Sequence, residues 1–224
     1  MIDFITGYLI FLFVVSVHEY FHAWTADRCG DPTARLLGRL TLDPRAHIDP
    51  IGTVFIPLSP LIFGLFGGGG IRFPGGFRFF GRAKPVPVNP LNVRRWRVDN
   101  MLVSFAGCAS GFLVALVAAL ILRGLKITLR DEIIAIRAVV DILWRMGSIS
   151  IWLSLFNLVP IPPLDGYQFV SYALHLDPLR SGAFLERSGP WLLLFLINTP
   201  LLYSILGPIN SVLFSSIFRS IAGF

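Results

Sequence analysis

Two apolar stretches, residues 4–26 and 101–122, constrain this chain more than anything else in it. Each is long enough to cross a hydrocarbon core of about 30 Å as a helix, which takes about 20 residues. The expected fold class is therefore an all-α membrane protein, a polytopic helix bundle. Composition agrees. Only 14% of the residues are charged, against roughly 25% in a soluble domain, so most of the surface must face lipid. The 224 residues fit one membrane-embedded domain, 1–224, with a core over 2–175 and a C-terminal helical hairpin over 190–222.

Residues 2–26 are expected to be a retained helix, not a signal peptide. Asp3 stands where a basic segment belongs, and no small-residue cleavage site follows. Residues 27–50 form a polar loop. Residues 51–66 are apolar but short, interrupted by Pro57 and Pro60 and ended by Gly67–Gly70. Residues 71–99 are basic and rich in Pro and Gly, which suggests a small irregular or β region. Asp141 and Arg145, four residues apart, give 130–146 the look of an interfacial amphipathic helix. Residues 147–174 are apolar with Pro160, Pro162 and Pro163 in the middle, so a broken helix is expected there. The last hairpin should turn about Gly207–Pro208. The net charge of +6 does not imply nucleic acid, because the Arg residues cluster in short segments between apolar runs, as membrane orientation requires. Cys29 and Cys108 are isolated thiols with no disulfide framework.

The strongest local signal is His18-Glu19-Tyr20-Phe21-His22. On a helix, residues four apart share a face, so both imidazoles can bind one metal ion. Glu19 beside them can take a proton from a water that zinc has acidified to a pKa of about 7. An ionisable cluster in a spanning helix is costly and is functional by default. A catalytic zinc site has three protein ligands, and no third His follows at close spacing. His47, His175 and an Asp or Glu in an apolar setting are the candidates. Only Asp165 lies deep in an apolar segment, within Asn157-Leu-Val-Pro-Ile-Pro-Pro-Leu-Asp165-Gly166. A broken helix at membrane depth is tolerated where it lines a protein cavity. His47 itself could be a solvated loop residue, a substrate-contacting or regulatory residue, or an extra metal ligand.

His18-Glu19-x-x-His22 and Asn157…Leu164-Asp165-Gly166, both in apolar segments, resemble the site-2 protease (M50) intramembrane zinc metalloproteases. Asp43-Pro44, His47-Ile48-Asp49-Pro50-Ile51-Gly52-Thr53 and Ala83-Lys84-Pro85-Val86-Pro87-Val88-Asn89-Pro90 resemble the compact bacterial and archaeal members without a PDZ domain. The resemblance covers about residues 5–175. It implies His18, His22 and Asp165 as Zn2+ ligands, Glu19 as general base, and Asn157 as a donor to the scissile carbonyl or its oxyanion. Two departures bear on substrate handling. Gly107-Cys108-Ala109-Ser110-Gly111 stands where the family has Gly-Pro-x-x-Asn, and Tyr167-Gln168 replaces a small residue and Arg.

The expected function is an intramembrane zinc endopeptidase that cuts within or next to transmembrane segments weakened by Gly, Pro or Asn. Its partners are membrane-protein substrates and the bilayer of the cell membrane. The alternatives are a catalytically silent relative that binds membrane helices as regulator or chaperone, and a small metal transporter. Retained Glu19 argues against the first, and the lack of a second intramembrane acidic or His-rich cluster argues against the second.

For His18, His22 and Asp165 to meet at one depth, the segments 2–26 and 147–174 must run in the same direction. Residues 51–66 should then be re-entrant, not spanning. That arrangement leaves only Arg123, Lys126, Arg130, Arg137 and Arg145, of the 19 Lys and Arg, on the far side. A spanning 51–66 would divide them almost evenly. The bias favours the re-entrant arrangement and puts the active site nearer the cytoplasmic face.

Overall fold

The structure, a computed structural model, describes residues 2–50, 53, 71–72, 78–79, 84–128, 134–176 and 183–222. Helix α1 (Ile2–Cys29) is followed by two short turns, α2 (Thr33–Leu36) and α3 (Pro44–His47). Strands β1 (Ile71–Arg72) and β2 (Arg78–Phe79) pair antiparallel, with Ile71 opposite Phe79. Then come α4 (Trp96–Thr128), α5 (Ile134–Asn157), α6 (Asp165–Ala173), α7 (Ala183–Asn198) and α8 (Leu201–Ile217), which runs on into a π-helical turn at Phe218–Ala222. Among the described residues, four helical stretches are long and apolar enough to cross a membrane: Ile5–Cys29, Trp96–Leu125, Arg137–Asn157 and Leu201–Ile221. The chain is a multi-pass membrane protein of all-α class.

Lipid as solvent explains which residues lie inside. Ile5, Leu9 and Phe13 on α1 and Leu116, Val117 and Leu120 on α4 are exposed. Ile10, Val14 and Val15 pack inward against Ala115, Ile149, Trp152 and Leu206. Helix α4 makes its largest contacts with α5, α1 and α6. The α4–α5 contact depends on small residues. A Cβ on Gly111 would lie 2.1 Å from Ser154 Oγ and 2.7 Å from the Ser150 carbonyl. Such close approach is the usual basis of helix association in membranes. The Ser150 and Ser154 hydroxyls donate to carbonyls one turn back, at 2.6 and 3.0 Å, so neither is left unbonded.

Three boundaries differ from expectation. Helix α4 starts at Trp96, five residues early, because Asp99 reaches back to accept the Arg95 backbone N–H at 2.7 Å. Helix α5 runs unbroken through residue 147, so 134–146, the described part of 130–146, is no separate interfacial helix, although Asp141 and Arg145 do pair at 2.7 Å. Gly147 serves packing instead: a Cβ there would lie 2.3 Å from Phe218 Cζ. The C-terminal turn falls at Thr199–Pro200, not at Gly207–Pro208. Proline disfavours helical backbone in the residue before it, and Thr199 closes α7 by donating its hydroxyl to the Leu196 carbonyl at 3.0 Å. Pro208 sits inside α8, preceded by a glycine with no Cβ to clash. The expected re-entrant stretch 51–66 lies outside the described residues, apart from Thr53, whose carbonyl accepts from Tyr8 Oη at 2.7 Å.

Candidate metal centre

Helix α1 carries His18 and His22 on one face, and both are buried. Asp165 opens α6, where a carboxylate in the first turn is favoured by the helix dipole. The segment between α5 and α6 delivers it. Residues 158–164 have four backbone N–H groups, because three of the seven residues are proline. All four are bonded, Leu158 to Ser154, Val159 to Phe156, Ile161 to Val159 and Leu164 to Ile161. The prolines thus end α5 and also leave the irregular segment without orphan donors, as a membrane interior demands. Gly166 lets α6 sit against this segment. A Cβ there would fall 2.2 Å from the Leu158 carbonyl oxygen.

Three donor atoms converge. His18 Nε2 lies 3.0 Å from Asp165 Oδ2, His22 Nε2 lies 3.2 Å from the same oxygen, and the two Nε2 atoms are 3.1 Å apart. Three ligands sharing one zinc at about 2.0–2.1 Å would stand about 3.3 Å from one another, so the spacing fits. His22 Nδ1–H donates to the Val103 carbonyl at 2.7 Å. That bond fixes the tautomer and turns Nε2 toward the cluster. Gly107, one turn further along α4, completes the cradle. A Cβ there would lie 2.3 Å from His22 Nε2 and 2.7 Å from His18 Cε1. Two imidazoles and one carboxylate are a catalytic zinc donor set, and the three residues present fit that ion.

A cavity of about 460 Å³ opens beside the cluster, lined among others by Glu19, His22, Asp165, Gln168, Pro162 and Pro163. Glu19 Oε2 accepts the Val86 N–H at 3.0 Å. Val86 belongs to a segment without regular structure, residues 84–89, held at both ends. The Lys84 N–H donates to the His47 carbonyl at 3.0 Å, and Arg39 Nη2 to the Lys84 carbonyl at 2.8 Å. At the far end the Asn89 N–H donates to Asp31 Oδ2 at 2.7 Å. Asp31, fully buried, also accepts from Asn92 Nδ2 at 3.0 Å and from the Thr33 hydroxyl and N–H. Burial alone would raise its carboxyl. Hydrogen bonds from Thr33, Asn92 and Asn89 outweigh that and hold it below the usual carboxylate value.

The structure brings together four of the seven residues singled out in the sequence. Asn157 ends α5 and donates Nδ2 to the Leu153 carbonyl of its own helix at 2.9 Å, and it does not line the cavity. His47 is buried, with Nε2 2.8 Å from the Thr41 carbonyl, and is not part of the cluster. His175 is exposed, past the end of α6. Gly107, Val103 and Val86 were missed. Gly107 carried a signal as one of the small residues in 106–111, and Val86 stood in the Ala83–Pro90 motif, but neither signal named a role at the site.

Apolar spanning helices around a buried two-histidine, one-carboxylate cluster define a class, the membrane metallohydrolases. This chain belongs to peptidase family M50, a metalloprotease family whose model matches residues 122–195. It is similar to "Putative zinc metalloprotease YwhC" of Bacillus subtilis, with 32% identity over 222 residues that cover 95% of this chain and 93% of that protein. It is also similar to "Putative zinc metalloprotease Rip2" of Mycolicibacterium smegmatis, with 32% identity over 88% of this chain and 67% of that protein. The Mycobacterium tuberculosis H37Rv protein of the same name is likewise 32% identical, over the same shares. No solved structure matches the chain.

Proposed function

We propose that this metalloprotease is an intramembrane zinc endopeptidase that hydrolyses peptide bonds within or next to transmembrane segments. The observation that carries the reading is the convergence of His18, His22 and Asp165 at 3.0–3.2 Å inside a bundle of apolar helices. Zinc, when bound there, acidifies a water and polarises the scissile carbonyl. Everything else falls to the chain. His18, His22 and Asp165 hold the ion, and the Val103 carbonyl keeps His22 aimed at it. Glu19, on the cavity wall, takes a proton from the attacking water and passes it to the departing amine.

Access decides the substrate. A peptide bond in an intact helix has its carbonyl bonded and its approach blocked by side chains. The cavity must therefore receive an unwound, extended stretch. Substrates are expected to carry Gly or Pro, the poorest helix formers, or Asn near the cut. Residues 84–89, beside Glu19, offer a surface for such a stretch. The Lys and Arg bias of the sequence supports a cluster nearer the cytoplasmic face of the cell membrane, although Arg219, expected on that side, lies at the opposite end, where the Ile221 carbonyl accepts from Arg123 Nη1 at 3.5 Å.

The test is cleavage of a panel of membrane helices in proteoliposomes, with Glu19→Gln as control. Wild-type cleavage abolished by Glu19→Gln supports the reading. Equal cleavage by both would remove Glu19 as the base. No cleavage by wild-type protein carrying zinc would favour a silent, helix-binding relative.

A further inference from the structure

We propose that Gln168 is a catalytic residue of this protease, donating an amide N–H to the oxygen of the scissile carbonyl as negative charge develops there. The inference rests on the endopeptidase reading above and concerns a group that reading leaves unassigned. Hydrolysis of an amide needs donors aimed at the forming oxyanion, and they are often the largest single contribution to rate. Asn157, the residue expected in that role, has its amide turned onto the Leu153 carbonyl.

The cavity offers few other donors. Asn100 Nδ2 is committed to the carbonyls of Pro90 and Trp96. The Val86 N–H is committed to Glu19. The Ser104 hydroxyl is shared between the Asn100 carbonyl at 2.9 Å and Gln168 Oε1 at 3.4 Å. That last contact positions Gln168: its carbonyl end is turned to Ser104, and neither amide N–H has an acceptor among the described residues. Ser104 follows Val103, whose carbonyl holds His22, so one turn of α4 aligns both a metal-site histidine and the donor.

Helix register supplies the rest. Gln168 is three residues after Asp165 on α6, and residues at that spacing share a face. Both line the cavity with Glu19 and His22. Tyr167 also lines it, but two residues from Asp165 it is rotated to another face of the helix. Gln168 is exposed within the chain, as a group waiting for a substrate oxygen must be.

The test compares Gln168→Glu, Gln168→Met and Tyr167→Phe with wild type and Glu19→Gln in the cleavage assay, each with zinc content measured. Gln168→Glu keeps the shape and the oxygen facing Ser104 but removes the N–H donors. Gln168→Met removes both. The expected result is a fall in kcat of about 10²–10³-fold for both Gln168 variants, with zinc content and KM near wild type. Affinity for a phosphinate transition-state analogue should fall in step with kcat/KM. If Gln168→Glu cleaves at the wild-type rate, or if Tyr167→Phe shows the loss instead, the proposal is overturned. That failure is distinct from failure of the endopeptidase reading, in which wild-type protein carrying zinc would cleave none of the membrane helices.

Discussion

Replacing Gly107 with Ala sets two physical effects against each other. Alanine inside a helix is better than glycine by about 1 kcal/mol, so α4 alone would gain stability. The added Cβ, however, would lie 2.3 Å from His22 Nε2 and 2.7 Å from both His18 Cε1 and His22 Cε1. Ordinary contact is near 3.5 Å, so His22 must move by about 1 Å. It cannot do so freely, because its Nδ1–H is bonded to the Val103 carbonyl of the same helix at 2.7 Å. Displacing a ligand or breaking its supporting bond typically costs metal affinity 10–100-fold. The upper figure is about 2.7 kcal/mol, more than the helix gains. Gly107→Ala is therefore expected to keep its helical content and unfolding temperature while zinc affinity falls up to about 100-fold. Circular dichroism and zinc retention against a graded chelator would show both. A variant that holds zinc as tightly as wild type would refute the cradle argument.

Gly166→Ala should fail differently. Its Cβ would meet the Leu158 carbonyl oxygen at 2.2 Å, a contact with backbone that cannot swing away, so α6 must lift off and carry Asp165 with it. Zinc loss should accompany a drop in unfolding stability of about 1–3 kcal/mol, read by thermal unfolding. Asp31→Ala should remove about 2–3 kcal/mol by leaving buried donors of Thr33, Asn89 and Asn92 unbonded, and protease sensitivity should rise between residues 84 and 95. Because its folded carboxyl is held below the unfolded value near 3.9, the stability it supplies is full above that value and is lost as pH falls through the folded one. An acid unfolding curve should therefore be flatter in the variant. Replacing Gly, Pro or Asn near the cut of a substrate helix by Leu should slow cleavage, and unchanged rates would contradict the unwinding argument. Cysteines at positions 33 and 76, in a background lacking Cys29 and Cys108, should both label from the cytoplasm; labelling from opposite sides would contradict the re-entrant 51–66.

Much of the site was legible because it depends on local periodicity. His18 and His22 share a helical face by spacing alone, and Asp165 stood out as an acid in an apolar segment. The proline run told where α5 must end. What escaped the sequence depends on contacts between distant elements. Gly147 gave no sign that it makes room for Phe218, and so α5 continues where a boundary at 147 was expected. Pro208 was a plausible turn, yet Thr199–Pro200 won because Thr199 both precedes a proline and closes α7 with its own hydroxyl. Asp31 looked like one loop acid among several, and only the fold brings Thr33, Asn89 and Asn92 around it. Asn157, expected as a donor to the substrate, ends α5 and bonds its amide within its own helix, a choice that residue type cannot reveal.

The proposed function requires that His18, His22 and Asp165 together hold one catalytic zinc, with Glu19 beside it but not on it. Zinc per chain, measured on purified wild type, Asp165→Ala and Glu19→Gln, tests this most directly. About one zinc per chain is expected in wild type and in Glu19→Gln, and loss of zinc in Asp165→Ala, since an incomplete ligand set binds poorly. Full zinc in Asp165→Ala, or its loss in Glu19→Gln, would contradict it.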